Sequence, residues 1–256
     1  QMVVLVEALI GFAQANGRLP CPASATVASG TSGAGTEQYT SPSCTALIGV
    51  IPWSTLGVPE TDAWGRRFTY RVASVFSDAI SAATYQTSSP ATQSTSTVCN
   101  PPTNPTFAAP TQSSFALCSL GEIAVLSRSI DSSLIHSTSV LGTGLPAVFI
   151  SHGRNGNGAY QPDGGQVAGV TASTDEATNA AGTTTGCPSG TCVSGTYFTS
   201  YLFYSRPPTP EADPPTATNG CSETATGRVL CEFDDIVYMI SSATLIAKTV
   251  AAGRLP

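Results

Sequence analysis

Apolar side chains recur at Val3, Val6, Leu9, Ile10 and Ala13, and again at Leu5, Ala8 and Phe12, while Glu7 and Gln14 mark a wetter side. This is helical spacing with a wide apolar stripe, and it predicts a helix over residues 2–16. Asn16-Gly17 allows a left-handed stop, and Pro20 prevents the helix from resuming. The period then changes to two. Phe68, Tyr70 and Val72 alternate with Thr69 and Arg71, which predicts a strand with one buried face. Further strand signals lie at 46–53, 147–150, 195–204, 227–233 and 235–241, with 195–204 the strongest. Short helices are expected at 76–83 and within 122–135, and a closing helix at 242–252. A single striped helix needs a sheet to pack against, so the expected fold class is α+β, an N-terminal α-helix packed on an antiparallel β-sheet.

Between these elements the chain loses its periodicity. Residues 21–44, 84–114 and 159–195 are rich in Ser, Thr, Gly, Ala and Pro and read as long loops, the latter two as insertions. The organisation is one domain over 1–256 with residues 1–17 as the lower part of the N-terminal helix. Met2-Val-Val-Leu-Val6 opens in mid-helix with no capping residue before it, so a hydrophobic membrane stem and an export signal are expected upstream of Gln1.

Charged residues are 10% of the chain, where about 25% is usual. The surface is therefore built largely from hydroxyls and amides, as suits an exported protein. A net charge of −6 and ten scattered basic residues give no stripe able to neutralise successive phosphates, which argues against nucleic acid. The eight cysteines fall into close neighbours, Cys21 with Cys44, Cys99 with Cys118, Cys187 with Cys192 and Cys221 with Cys231. Nearest-neighbour disulfides would tie the long loops in an oxidising compartment. A zinc site is the weaker reading, since Cys187 and Cys192 have no matching second pair and His136 and His152 are not spaced as finger ligands.

The segments Asn16-Gly-Arg-Leu-Pro20, Val58-Pro-Glu-Thr-Asp62-Ala63-Trp64-Gly65-Arg-Arg-Phe68-Thr-Tyr70 and Ser151-His-Gly153-Arg-Asn155-Gly156-Asn157-Gly158, with Phe233-Asp234-Asp235-Ile236 farther on, together resemble the type IV pilin and type II secretion pseudopilin superfamily, above all its calcium-binding major pseudopilin heads. Ala63 and Arg67 stand where that family usually has Pro, and Asn155 replaces an Asp. The spacing to Asp234-Asp235 requires a large insertion. The resemblance implies a pilin-like fold with long disulfide-tied loops. It also implies a calcium site, for which Asn155, Asn157, Asp234 and Asp235 are the candidate ligands, with Asp175, Glu176 and Asn179 as further oxygen donors.

Catalysis is not expected. Ser151 and His152 are adjacent but form no nucleophile and base pair by adjacency, no Gly-x-Ser-x-Gly elbow occurs, and Glu122 with Asp131 reads better as solvated charge than as a glycosidase pair. Trp53 and Trp64 read as plugs between helix and sheet, and Tyr197, Phe198, Tyr201, Phe203 and Tyr204 as a half-buried strand. The expected function is a structural subunit, a minor pilin or pseudopilin of a type IV pilus or type II secretion-like filament, acting by assembly through Val3, Val6, Leu9, Ile10 and Phe12. Its partners would be other such subunits and the inner membrane, and its place the bacterial envelope, periplasm or extracellular filament. The alternative is a cell-surface adhesin or carbohydrate-binding module.

Overall fold

The computed structural model describes residues 1–78, 113–115, 119, 121–127, 139–168, 174–181, 201–207 and 232–254. Helix α1 spans Met2–Asn16 and ends as its sequence dictates, at Gly17 with φ 69°. Leu5, Leu9, Ile10 and Ala13 are buried, one helical face in register. They join Phe68, Tyr70, Val72, Phe149, Ile150 and Leu245 in one core.

The main sheet has the order β3 (Ile48–Val50), β4 (Thr69–Val72), β7 (Ala147–Ser151), β9 (Ile236–Ile240), antiparallel throughout. Register places Tyr70, Phe149 and Tyr238 in one row across three strands. Phe149 stacks on Tyr238 at 5.2 Å and meets Phe68 edge-on at 6.5 Å, the offset arrangements that aromatic quadrupoles favour. The Tyr70 hydroxyl donates to Pro20 O just beyond α1, tying helix exit to sheet. Burial holds that phenol well above its ordinary value, so it remains a donor.

A second sheet, β6 (Ser139–Leu145), β5 (Ile123–Ser127), β8 (Tyr201–Tyr204), covers Arg71. Two expectations change here. The β5/β8 pair is parallel, so the strands are not all antiparallel. In addition β4 is buried on both faces, because Arg71 pairs with Glu122 at 3.3 Å and lies over the Tyr201 ring. The helix expected within 122–135 is strand β5 over its described part, and Glu122 is Arg71's counter-ion in place of a solvated charge.

Of the helix expected at 76–83, residues 76 and 77 belong to α3, Ser74–Ser77, and 79–83 lie outside the described residues. The region 159–195, expected as loop, contains helix α4, Thr174–Ala181. Of the strand signal at 227–233 the described residues 232 and 233 form no strand. The exposed loop expected at 84–114 ends buried, with Ser114 N donating to Gly17 O and Phe115 packed on Phe76. The closing helix α5, Ser242–Ala251, is capped by the Ser241 hydroxyl on Thr244 N and returns beside α1, where Gln14 donates to Lys248 O.

The loop at 21–44 is closed by the Cys21–Cys44 disulfide across 23 residues and carries the hairpin β1 (Tyr39–Thr40), β2 (Ser43–Cys44). The other six cysteines lie outside the described residues. Beneath this loop the fully buried Arg67 donates to Glu60, to the carbonyls of Ala25 and Pro162 and to Ser29, and stacks over Trp53 at 4.6 Å. Trp53, on the short helix α2 (Trp53–Leu56), thus supports a buried cation, and Trp64 is 44% exposed; neither is a plug between helix and sheet.

Asp78, at the end of α3, is pushed up to about 6 by burial and secondarily by the Glu122 carboxylate. A carboxyl raised in the folded state binds its proton more readily there than in the unfolded chain. Its contribution to stability is complete below the unfolded value and is lost as pH rises through about 6. Urea unfolding of Asp78→Asn should therefore show a variant more stable than the native chain at pH 7, with the difference shrinking toward pH 4. A difference that grows toward pH 4 is the opposite sign and contradicts this account.

Candidate metal centre

Strand β7 ends at Ser151, and the chain turns through His152 to Gly158. Gly153 adopts φ 55°, and a Cβ there would lie 2.5 Å from the Asp234 carboxylate carbon. The Arg66 guanidinium fills the place where a Gly156 side chain would begin, and it donates to the carbonyls of Gly153 and Arg154 at 2.7 and 2.8 Å. Only glycine permits both approaches. The loop is thereby pressed onto the segment that leads into β9.

Three carboxylates meet there. Glu176, in the first turn of α4, is buried and accepts from Asn155 Nδ2 at 3.0 Å and Asn157 Nδ2 at 2.7 Å. Asp234 accepts the Asn155 backbone N–H on Oδ2 at 2.8 Å, and its Oδ1 is buried without a hydrogen-bond partner. Asp235 accepts Asn179 Nδ2 at 2.8 Å on Oδ2 and faces His152 Nδ1 at 3.2 Å through Oδ1. One oxygen from each of Glu176, Asp234 and Asp235 lies within 4.8 Å of the others. Desolvation raises Glu176 above its ordinary value, the amides of Asn157 and Asn155 work against that shift, and the charge of Asp235 adds to it.

Among the described residues, Arg206 pairs with Asp175 at 2.9 Å and lies over Phe233, and Arg66 serves backbone carbonyls. Close carboxylates, hard oxygen donors and an orphaned buried oxygen are the set that suits a hard divalent cation.

All four residues proposed from the sequence converge here. Asp234 and Asp235 face the cluster directly, while Asn155 and Asn157 form its wall and direct their amide nitrogens at Glu176. Glu176 is the residue that joins them. Its signal was the acidic helix start Thr174-Asp175-Glu176 inside a stretch otherwise nearly free of charge. Asn179 also holds the end of β8, exchanging both hydrogen bonds with the Tyr204 backbone.

The catalytic alternatives separate. Ser151 donates to Asp62 Oδ2 at 2.6 Å and not to His152. His152 instead joins Asp235 to the Thr69 hydroxyl, 2.8 Å from Nε2. His136 and Asp131 lie outside the described residues, as do Tyr197 and Phe198, while Leu202, Phe203 and Tyr204 are buried in β8.

No family model, curated protein or solved structure matches this chain.

In chelator-containing buffer the buried charge on Glu176 opposes folding at neutral pH, and this penalty is relieved as pH falls and the raised carboxyl takes up its proton. Glu176→Gln keeps the shape and removes the charge. Thermal melts should show it as stable as, or more stable than, the native chain at pH 7 without metal. A loss of more than about 2 kcal/mol, the size expected for breaking a well-satisfied buried network, contradicts the reading that burial makes the Glu176 charge costly.

Proposed function

We propose that the chain is a pilin-like structural subunit of a type IV pilus or type II secretion-like filament of the bacterial envelope, acting by assembly. The observation that carries this reading is the lengthwise division of α1. Leu5, Leu9, Ile10 and Ala13 are committed to the head's own core, whereas Val3 and Val4 are 67% and 55% exposed and continue into Glu7, Gly11 and Ala15 on the open side.

Val3 and Val4 are therefore the apolar groups offered to a neighbour. Leu9 and Ile10, expected as assembly residues from the sequence, have their burial satisfied within the head, and Val6 and Phe12 are half-buried. A helix whose outer side is apolar at one end and small or polar farther along can pack against copies of itself without loosening the head it supports. Among the described residues no helix is long and apolar enough to cross a membrane.

In this reading the acidic cluster holds calcium. Glu176, Asp234 and Asp235 would be its carboxylate ligands, and the ion would bring positive charge to three close carboxylates. The residues themselves bring α4 and the 232–235 segment against the loop after β7. Stability of the decorated side of the head then depends on the metal.

Two measurements address the two halves of this proposal. Millimolar calcium should raise the melting temperature of the native chain, since a ligand confined to the folded state must do so, and should raise that of Glu176→Gln far less; an unchanged midpoint removes the metal. For assembly, Val3→Lys combined with Val4→Lys should leave the isolated protein within about 2 °C of the native midpoint, as exposed substitutions do. The same variant should be absent from filaments sheared from producing cells. Incorporation at the native level contradicts the proposed role of this face.

A further inference from the structure

A cavity of about 370 Å³ opens between the start of the disulfide-tied loop, strand β3 and the end of α4. Volumes of roughly this size hold small ligands. Its described lining contains hydroxyls, amides and small apolar groups and no Asp, Glu, Lys or Arg. The described lining offers no charge to repay the desolvation of an ion, so the occupant that matches these residues is neutral.

The floor defines the occupant further. Thr69 and Ile48 project from the same face of the main sheet, since Val50 is paired with Thr69 and Ile48 with Arg71, and both line the cavity. His152 lies between Asp235 Oδ1, 3.2 Å from Nδ1, and the Thr69 hydroxyl, 2.8 Å from Nε2. Whichever way the hydrogen runs between Thr69 and His152, Thr69 Oγ1 keeps at least one lone pair for a further partner.

Gln166 repeats the pattern at the rim. Its amide nitrogen donates to Gly158 O at 2.9 Å, which leaves one amide hydrogen and the carbonyl oxygen for a further partner. Gln38, exposed on the opposite side, and the Tyr160 ring complete a wall with both hydrogen-bonding and aromatic surface. Amide donors and hydroxyl and carbonyl acceptors side by side, with no charged side chain among the described lining, suit a ligand whose hydroxyl groups both donate and accept.

We propose that this cavity is a binding site for a neutral sugar, a single saccharide residue or the end of a glycan chain, received by the Thr69 hydroxyl and the Gln38 and Gln166 amides. The site is distinct from the acidic cluster, to which α4 and the Asp235–His152 link connect it. It does not rest on the filament reading.

The test is saturation-transfer NMR on the intact chain with glucose, galactose, mannose and N-acetylglucosamine, each at about 5 mM, a concentration suited to the weak affinity that a few hydrogen bonds provide. Glucosamine, glucuronate and glucose 6-phosphate serve as charged comparisons. At least one neutral sugar should show transfer and the charged ones should not. Ala181→Trp, which fills the cavity from an exposed position, should abolish the signal, and Gln166→Ala should weaken binding about tenfold, the effect of one hydrogen bond lost. Both variants lie at exposed sites, and a native melting profile verifies that each is folded. Absence of transfer from all four neutral sugars, equal transfer from the charged ones, or transfer that persists in Ala181→Trp overturns the assignment.

Discussion

The carboxylate of Asp62 holds two distant parts of the chain in one arrangement. Its Oδ1 accepts the N–H groups of Trp64 and Arg66 at 2.9 and 3.0 Å and so closes the turn that feeds β4; its Oδ2 accepts the Ser151 hydroxyl at 2.6 Å, where β7 ends. The group is buried, and removing a carboxylate from water costs several kcal/mol unless each oxygen is satisfied. Three donors converge on it, each bond to a charged acceptor contributing roughly 1.5–3 kcal/mol. With that turn in place the next residues are aimed: Arg66 lies across the loop after β7, Arg67 runs beneath the disulfide-tied loop, and Thr69 reaches His152. The acidic cluster and the cavity both lie downstream of this constraint.

A chain with few charges uses them inside. Arg18 with Glu37, Arg67 with Glu60, Arg71 with Glu122 and Arg206 with Asp175 are ion pairs in which every arginine side chain is nearly or wholly buried. Loops built from Ser, Thr, Gly and Ala have little apolar surface to bury, so hydrophobic packing cannot hold them. Each of these arginines offers five donors in a planar fork, enough to satisfy several loop carbonyls at once, as Arg67 does for Ala25 and Pro162. The disulfide adds a covalent tie of the same loop, contributing on the order of 3 kcal/mol by restricting the unfolded chain.

Legibility followed the range of the interactions. Helix α1, its stop at Gly17, strand β7 and helix α5 were readable because local period and capping decide them. The burial of Arg71 was not, since it depends on Glu122 and Tyr201, 51 and 130 residues away in the chain. Strand β5, the described part of the 122–135 segment, was not legible as a strand, because a short apolar run carries no decisive period and its pairing with β8 is non-local. At the candidate metal centre the resemblance selected Asp234 and Asp235 and Glu176 was a further donor, but the helix that carries Glu176 to them was concealed by the composition of 159–195. The Asp62 to Ser151 bond was invisible in sequence although both residues stand in motifs singled out there.

The most direct measurement of this account is amide hydrogen exchange on Asp62→Ala compared with the native chain. If the buried carboxylate is the constraint on which both regions depend, protection is lost together at residues 64–66 and across 151–158, while α1 and β9 retain theirs. Loss confined to 62–66, with the loop after β7 still protected, would show that the two parts are positioned independently and that the Asp62 carboxylate is not the constraint they share.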